Sequence, residues 1–312
     1  MELELSRCVA VVGPTGAGKS EIALTLAEQF GGELVCMDSM QIYKGLTIGT
    51  NGPDAAERAR VPHHLFGFAD IQSPLSSVAY VERARAVLAE IQARGNLPIL
   101  VGGTGLYLKA LVEGLDPMPA TPPELRERLN RTVTEKGLPH VYRLLQRLDP
   151  AGAARLHAND RQRIQRFLEV RLLSGKSILD LWAQREKTQC EPVPIVIGCA
   201  VAREILVEQI QLRAGKMLEN GWIEETRLLL QAGLQEFLLQ LAPIGYDEII
   251  AHLNGRRTLD DVATKIAIQT RQYAKRQVTW FRKVPYIQWF HFDPYSGYNT
   301  ARIIAFLNQR LH

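Results

Sequence analysis

Val9-Ala-Val-Val-Gly-Pro-Thr-Gly-Ala-Gly-Lys19-Ser20 decides how the rest of this 312-residue chain is read. An apolar run leads into Gly13, Pro14, Thr15, Gly16, Ala17, Gly18, Lys19 and Ser20, the pattern G-x-x-x-x-G-K-S, and a helical pattern follows. That is a phosphate-binding loop in a strand–loop–helix setting. The glycines let backbone N–H groups turn inward around phosphate oxygens. The helix that starts near Lys19 adds its positive end. Lys19 brings a point charge to the terminal phosphates, and the Ser20 hydroxyl is a natural Mg²⁺ ligand. Gly13, Gly16 and Gly18 do not form G-x-G-x-x-G, which argues against a dinucleotide fold. The loop implies a bound phosphate or diphosphate without saying whose.

Outward from this loop the pattern alternates. Residues 33–37 read as a second buried strand that delivers Asp38 at its end. A helix is expected over about 78–93, and residues 98–101 read as another strand opening into Gly102-Gly-Thr104-Gly. Short apolar strands alternating with amphipathic helices imply a parallel sheet covered on both faces, an α/β fold resembling P-loop NTPases. Ligands bind beyond the C-terminal strand ends of such sheets, so the loop, Asp38 and Thr104 should meet there. Residues 116–123, with four prolines, read as a hinge. Thr121 and Glu124 read as a capping box. Helices are expected at about 123–136, 138–148 and 160–174. The chain thus divides into an α/β core over 1–115, an all-helical insertion over 116–190 and a core completion with C-terminal helices over 191–312. The last part carries a strand at 194–201 and helices at about 203–219, 222–232, 246–253 and 258–283.

Composition is that of an ordinary globular protein, 46% hydrophobic and 22% charged, and no stretch approaches a membrane span. The start Met-Glu-Leu-Glu-Leu lacks the pattern of a signal peptide, and the four cysteines form no C-x-x-C pair, so reduced thiols in the cytoplasm are expected. A monomer is the expected state. The net charge of +4 is unevenly spread. Residues 124–187 carry 14 Lys and Arg against 8 Asp and Glu, and residues 251–312 carry 10 against 3. Two basic segments on an acidic body suit a polyanion, although solvated helix faces would give the same counts.

Individual residues keep more than one reading. Asp38 suits a Mg²⁺ ligand beside a nucleotide, or a general base, or a turn cap. Thr104 between glycines permits close approach of a ligand, or the glycines serve a tight turn alone. Arg213 falls on the apolar stripe Leu206, Ile210 and Met217, with no acid three or four residues away. A buried guanidinium needs an anion, either a phosphate or a distant carboxylate. Gln162, Arg163 and Arg166 share one side of a helix, which suits a reader of a phosphate backbone or base edges, or a solvated basic face. Residues 271–282 mix cations with Trp280 and Phe281, which suits nucleic acid or, for the rings, core. The pair His63-His64 has no third metal ligand at a suitable spacing, so structural or substrate-shaping roles are expected.

These pieces, in this order, resemble the tRNA dimethylallyltransferase family of bacterial type. The matching stretches are residues 13–20, Asp-Ser-Met-Gln-Ile-Tyr at 38–43, Ile-Gly-Thr at 48–50, Pro-His-His-Leu at 62–65, Leu-Val-Gly-Gly-Thr-Gly-Leu-Tyr at 100–107, Asn159-Asp160 with Arg163, Arg213 with Met217 and Gly221, Ile-Gly-Tyr at 244–246 and Lys-Arg-Gln-Val-Thr-Trp at 275–280. The resemblance implies transfer of a dimethylallyl group from dimethylallyl diphosphate to N6 of the adenosine just 3′ of a tRNA anticodon. Asp38 would take the N6 proton, and Thr104 would bind near the bridging oxygen and the base. Lys19, Ser20, the loop amides and Arg213 would hold the diphosphate with Mg²⁺. Asp38, Ser39, Met40, Gln41 and Thr104 would touch the target base. Arg126 with Gln162, Arg163, Ile164, Gln165 and Arg166 would contact the anticodon stem-loop, and Lys275, Arg276, Gln277, Trp280 and Arg282 would line the tRNA side. Here Thr50-Asn-Gly-Pro53 lacks a lysine that the family commonly carries. The alternatives are a P-loop small-molecule kinase, which needs no RNA, and a nucleotide-gated RNA-binding protein, which modifies nothing.

Overall fold

The computed structural model describes residues 3–115, 118–183 and 193–311. Val9 and Val11 pack into one core cluster, Ala10 and Val12 into another, and all four are buried. A strand with both faces covered must be apolar throughout, and this one is.

Strand β1 (Val9–Val12) is followed by helix α1 (Lys19–Phe30), β2 (Gly32–Cys36), α2 (Ala55–Arg60), β3 (His63–His64), α3 (Ser77–Ala93), β4 (Leu97–Gly102) and α4 (Gly105–Glu113). Then come α5 (Pro123–Lys136), α6 (Leu138–Leu148), α7 (Pro150–Ala153), α8 (Arg161–Ser174) and α9 (Ile178–Ala183). The chain continues with β5 (Ile195–Ala200), α10 (Arg203–Met217), a π-helical turn at Leu218–Trp222, α11 (Ile223–Gln231), α12 (Gln235–Leu241), α13 (Tyr246–Leu253), α14 (Leu259–Phe281), β6 (Ile287–Asp293), β7 (Gly297–Tyr298) and α15 (Thr300–Leu311). Two compact units result, one formed by Met1–Glu113 with Glu191–His312 and one by Gly114–Cys190.

The first unit is built on one sheet of order β3-β2-β4-β1-β5-β6-β7. Its strands run parallel except β7, which returns antiparallel to β6. α1 and α15 contribute to the core on one face. α3, α4, α11, α13 and α14 contribute to the core on the other. The order matters for function. β2, β4 and β1 are consecutive neighbours, so the loops after Cys36, Gly102 and Val12 leave the same sheet edge side by side. At the opposite end of β2, buried Glu33 is held by Arg94, Asn96 and His64. Burial opposes its charge, but those hydrogen bonds outweigh burial and hold the carboxyl at about 2.

The second unit is helical around Leu129, Val141, Leu145, Ile164, Phe167 and Leu168. Ile164, Phe167 and Leu168 fall on one side of α8 at helical spacing. The expected capping box at Thr121 is not formed. α5 starts at Pro123 with no side-chain cap, and the Thr121 hydroxyl donates instead to buried Glu169 at 2.7 Å. The Thr121 oxygen accepts from Arg166 at 2.8 Å rather than from an amide of the first α5 turn. Of the expected hinge, residues 116 and 117 lie outside the described residues, as does Cys190.

Several short helices have no counterpart in the sequence reading. α2 carries no apolar stripe, yet Asp54 and Glu57 form a full capping box at its start. The expected helices over 203–219 and 222–232 are separated by the π-helical turn, where Gly221 takes φ +102°.

Candidate active site

Three loops build the site. The phosphate loop follows β1, with positive φ at Gly13, Gly16 and Gly18, and delivers Lys19 at the start of α1. The loop after β2 delivers Asp38. Asp38 Oδ1 accepts the backbone N–H of Met40 at 2.9 Å and of Gln41 at 3.4 Å, which fixes the carboxylate in a turn. Asp38 Oδ2 accepts no hydrogen bond from any described residue. The loop after β4 delivers Thr104. Its N–H donates to the Met37 carbonyl at 3.3 Å, and its hydroxyl accepts the Ser39 N–H at 2.9 Å.

A cavity of about 320 Å³ opens among these loops. Lys19, Ser20, Asp38, Gln41, Arg213 and Gln277 line it on the polar side. Leu24, Leu34, Phe66 and Val101 line it on the apolar side. α10 supplies Arg213, because Leu206, Ile210 and Met217 of the same stripe are buried in the core. Among the described residues no carboxylate lies within salt-bridge distance of Arg213. Burial lowers its pKa, and the charge of Asp38 acts the other way. Lys19 rests on the Pro14 carbonyl at 2.8 Å. Burial lowers the Lys19 ammonium to about 8, the charge of Arg213 adds to the fall, and Cys199 and Asp38 oppose it. Burial disfavours both cations, and among the described residues none of the carboxylates that line the cavity, Glu21, Asp38 and Glu57, pairs with either at salt-bridge distance.

Residues 41–284 match the family described as IPP transferase, and residues 6–63 match the family described as isopentenyl transferase. The chain belongs to the IPP transferase family. The tRNA dimethylallyltransferase of Geobacter metallireducens is 44% identical over 292 residues, covering 93% of this chain and 94% of that protein. That of Geobacter sulfurreducens is 42% identical over 301 residues and covers 96% of each. The crystal structure of a full-length tRNA isopentenylpyrophosphate transferase from Bacillus halodurans superposes with a TM-score of 0.68 at 32% identity, covering 97% of this chain and 96% of that one. A eukaryotic dimethylallyltransferase captured acting on tRNA superposes at 0.80 with 28% identity, covering 97% of this chain and 78% of that one. As in these IPP transferases, the fold here is a P-loop NTPase-like parallel sheet with helices on both faces.

The remaining sequence-derived residues fall into three groups. Lys275, Arg276, Trp280 and Arg282 are exposed on or just after α14, while Phe281 is buried. In the helical unit Arg126, Gln162 and Arg163 are exposed. Arg163 pairs with Asp160 at 3.4 Å, and Gln165 donates to Asn130. Arg166 donates to Thr121 at 2.8 Å and to Glu169 at 3.3 Å. Two positions need correction. Ile164 is fully buried, because the helical period turns it inward with Phe167 and Leu168, so its side chain offers nothing to a nucleic acid. Gln277 is 5% exposed, and its amide is engaged by the protein at both ends. Gln41 keeps its place at the cavity, but its Nε2 donates to the carbonyls of Thr50 and Asn51, both at 2.9 Å. His63 lines the cavity, and its Nδ1 bonds the Val61 carbonyl at 2.8 Å.

Two groups carry no signal in the sequence. Glu225 accepts the backbone N–H groups of Thr47, Ile48 and Gly49 and the Tyr246 hydroxyl, anchoring the loop that brings Thr50 and Asn51 to the cavity. Tyr273 sits beside Asp38, Thr104 and Gln277. Burial, then the charge of Asp38, raises its hydroxyl, and contacts with Thr104 and Gln277 act the other way.

The site suits a divalent cation bound through its ligand. No cluster of three or more His, Cys, Asp or Glu among the described residues could hold a metal ion, whereas the Ser20 hydroxyl lies at the cavity wall beside Lys19. The Ser20 hydroxyl would hold such a cation, which would supply positive charge beside a bound phosphate.

Proposed function

We propose that the chain transfers a dimethylallyl group from dimethylallyl diphosphate to N6 of the adenosine immediately 3′ of the anticodon in tRNA, releasing diphosphate. One observation carries this reading: Asp38 shares a single cavity with Lys19, Arg213 and the phosphate loop. A base and an anion-binding site so arranged suit an acid-free alkyl transfer onto an amine.

Lys19, Arg213, the loop amides and the positive end of α1 hold the diphosphate. They stabilise the charge that grows on it as the bond to C1 of the alkyl group breaks. N6 forms the new bond to C1, and its surplus proton passes to Asp38 Oδ2. The anchored Oδ1 keeps that oxygen in place. The Thr104 hydroxyl accepts from Ser39 and contacts the Tyr273 hydroxyl, and its O–H would turn toward the bridging oxygen of a bound diphosphate. Mg²⁺, held by Ser20 and the diphosphate, would neutralise leaving-group charge when bound. The adenine must leave its stack to enter, at a few kcal/mol, less in an already unpaired loop.

On this reading the exposed Lys275, Arg276, Trp280 and Arg282 take the tRNA on the α14 side. Arg126, Gln162, Arg163 and Arg166 take the anticodon stem. On the same reading the working unit is a monomer and its compartment the cytoplasm, where a bacterial tRNA is found. No helix among the described residues is long and apolar enough to cross a membrane.

Labelled dimethylallyl diphosphate mixed with tRNA lacking the modification tests the reading. Label should enter tRNA with the wild type and be lost by about 100-fold or more in Asp38→Ala. ATP hydrolysis without RNA labelling would instead mean a kinase.

A further inference from the structure

Gln277 follows the exposed Lys275 and Arg276 on α14, yet its own side chain is buried and lies at the wall of the cavity. Its Oε1 accepts the Thr15 N–H of the phosphate loop at 2.8 Å. Its Nε2 donates to the Gly103 carbonyl at 3.0 Å, one residue before Thr104. One amide head thus joins stretches 262 and 174 positions away. The join needs an acceptor and a donor on one planar group, which an amide supplies and a carboxylate does not. It also needs a bare Cα at residue 103, since a Cβ there would run into Gln277 Nε2. The bond to Thr15 has a second effect. That loop amide points to Gln277, leaving the phosphate to the other amides and to Lys19.

We propose that Gln277 is a positioning residue for the transfer. It sets the spacing between the loop that holds the diphosphate and the loop that holds Thr104, and with it the distance C1 must cross to N6. The proposal rests on the transfer reading above. Gln277 touches no reacting atom. Its loss therefore falls on kcat, while KM for donor and tRNA stays near the wild-type value.

A glutamate at this position is informative because its protonated form carries the same acceptor and donor as glutamine. Its ionised form has lost the donor and faces the Gly103 carbonyl with a charge. Full-length wild type, Gln277→Met and Gln277→Glu would be assayed for label transfer to tRNA from about pH 5.5 to about pH 8.5, each as a ratio to wild type at the same pH. Gln277→Met should lose about 10- to 100-fold in kcat at every pH, with both KM values within about threefold. Gln277→Glu should approach wild type at the acid end and fall toward Gln277→Met as pH rises. A flat ratio for Gln277→Glu, or a loss confined to KM, would overturn the proposal. So would a Gln277→Glu protein that does not fold at the acid end, where both bonds are restored. A wild type that transfers no label overturns the transfer reading itself, before any variant is made.

Discussion

The backbone N–H of Ser39 donates to the Thr104 hydroxyl at 2.9 Å, across 65 positions of the chain. With the bond from Thr104 N–H back to the Met37 carbonyl, it ties the loops after β2 and β4 into one body. Asp38 lies between the two residues that β4's loop grips. Its position is therefore a property of two strands.

Thr104→Val should expose the worth of that tie. It leaves the Ser39 amide unsatisfied, a cost of about 1–3 kcal/mol, and removes the Thr104 O–H. A fall of about 100-fold in kcat is expected, with a lowered melting temperature, while Thr104→Ser keeps most of both. Steady-state transfer assays and thermal melts check this, and an active Thr104→Val would show that the hydroxyl serves neither role.

Arg213 is a cation without a carboxylate at salt-bridge distance among the described residues, in a site that disfavours its charge. Diphosphate should raise the melting temperature of the wild type by mass action, about 2.7 kcal/mol at 100 times its Kd. Arg213→Met should melt no lower than wild type without ligand, because it removes a buried charge, and should lose most of the shift with diphosphate. Calorimetry with and without diphosphate gives both numbers. A variant that melts well below wild type in the absence of ligand would mean that Arg213 has a protein partner.

Lys19 titrates at about 8 in the folded protein against 10.5 ordinarily, with burial as the chief cause. Above pH 8 it loses the charge that holds diphosphate, and a bound anion must restore that proton. Diphosphate affinity should therefore fall by up to about tenfold per pH unit above 8, relative to Lys19→Arg, which keeps its charge throughout. Folding stability carries the opposite sign. The unfolded lysine still holds its proton between about 8 and 10.5, so this group makes stability rise with pH across that window. Titration calorimetry over pH 7–10 tests the binding arm.

Glu225 accepts four hydrogen bonds, three of them from consecutive backbone amides at residues 47–49. Glu225→Gln turns a donor toward those amides and should lower the melting temperature by about 5 °C. It should also raise KM for the donor, because Thr50 and Asn51 line the cavity. Gly49→Ala should do the same by another route, driving a Cβ into Trp222 and Tyr246. Glu224→Gln, which disturbs only an exposed pair with Arg227, serves as the control and should leave both quantities unchanged.

Local patterns carried much of this protein. The phosphate loop needs glycines, a lysine and a serine at fixed spacing, so residues 13–20 identify it wherever they occur. Strands buried on both faces must be apolar, which located β1, β2 and β4 and placed Asp38 and Thr104 at their ends. A stripe of Leu206, Ile210 and Met217 was enough to turn Arg213 inward. Ile164 shows where a local list overreaches: residues contiguous with Arg163 and Arg166 do not share their side of the helix.

What the tertiary structure alone decided is which polar groups spend their hydrogen bonds on the protein. The tract 275–282 marks α14 as cationic and aromatic, yet it gives no hint that Gln277 turns its back on solvent to grip Thr15 and Gly103. Glu225 stands in an unremarkable helix, and only the packing of α11 against the 47–49 loop makes it an anchor. These backbone partners lie 174 to 262 positions away. Periodicity and motif spacing report on a few neighbouring turns of chain. Burial of a donor beside its acceptor is set by how distant elements pack.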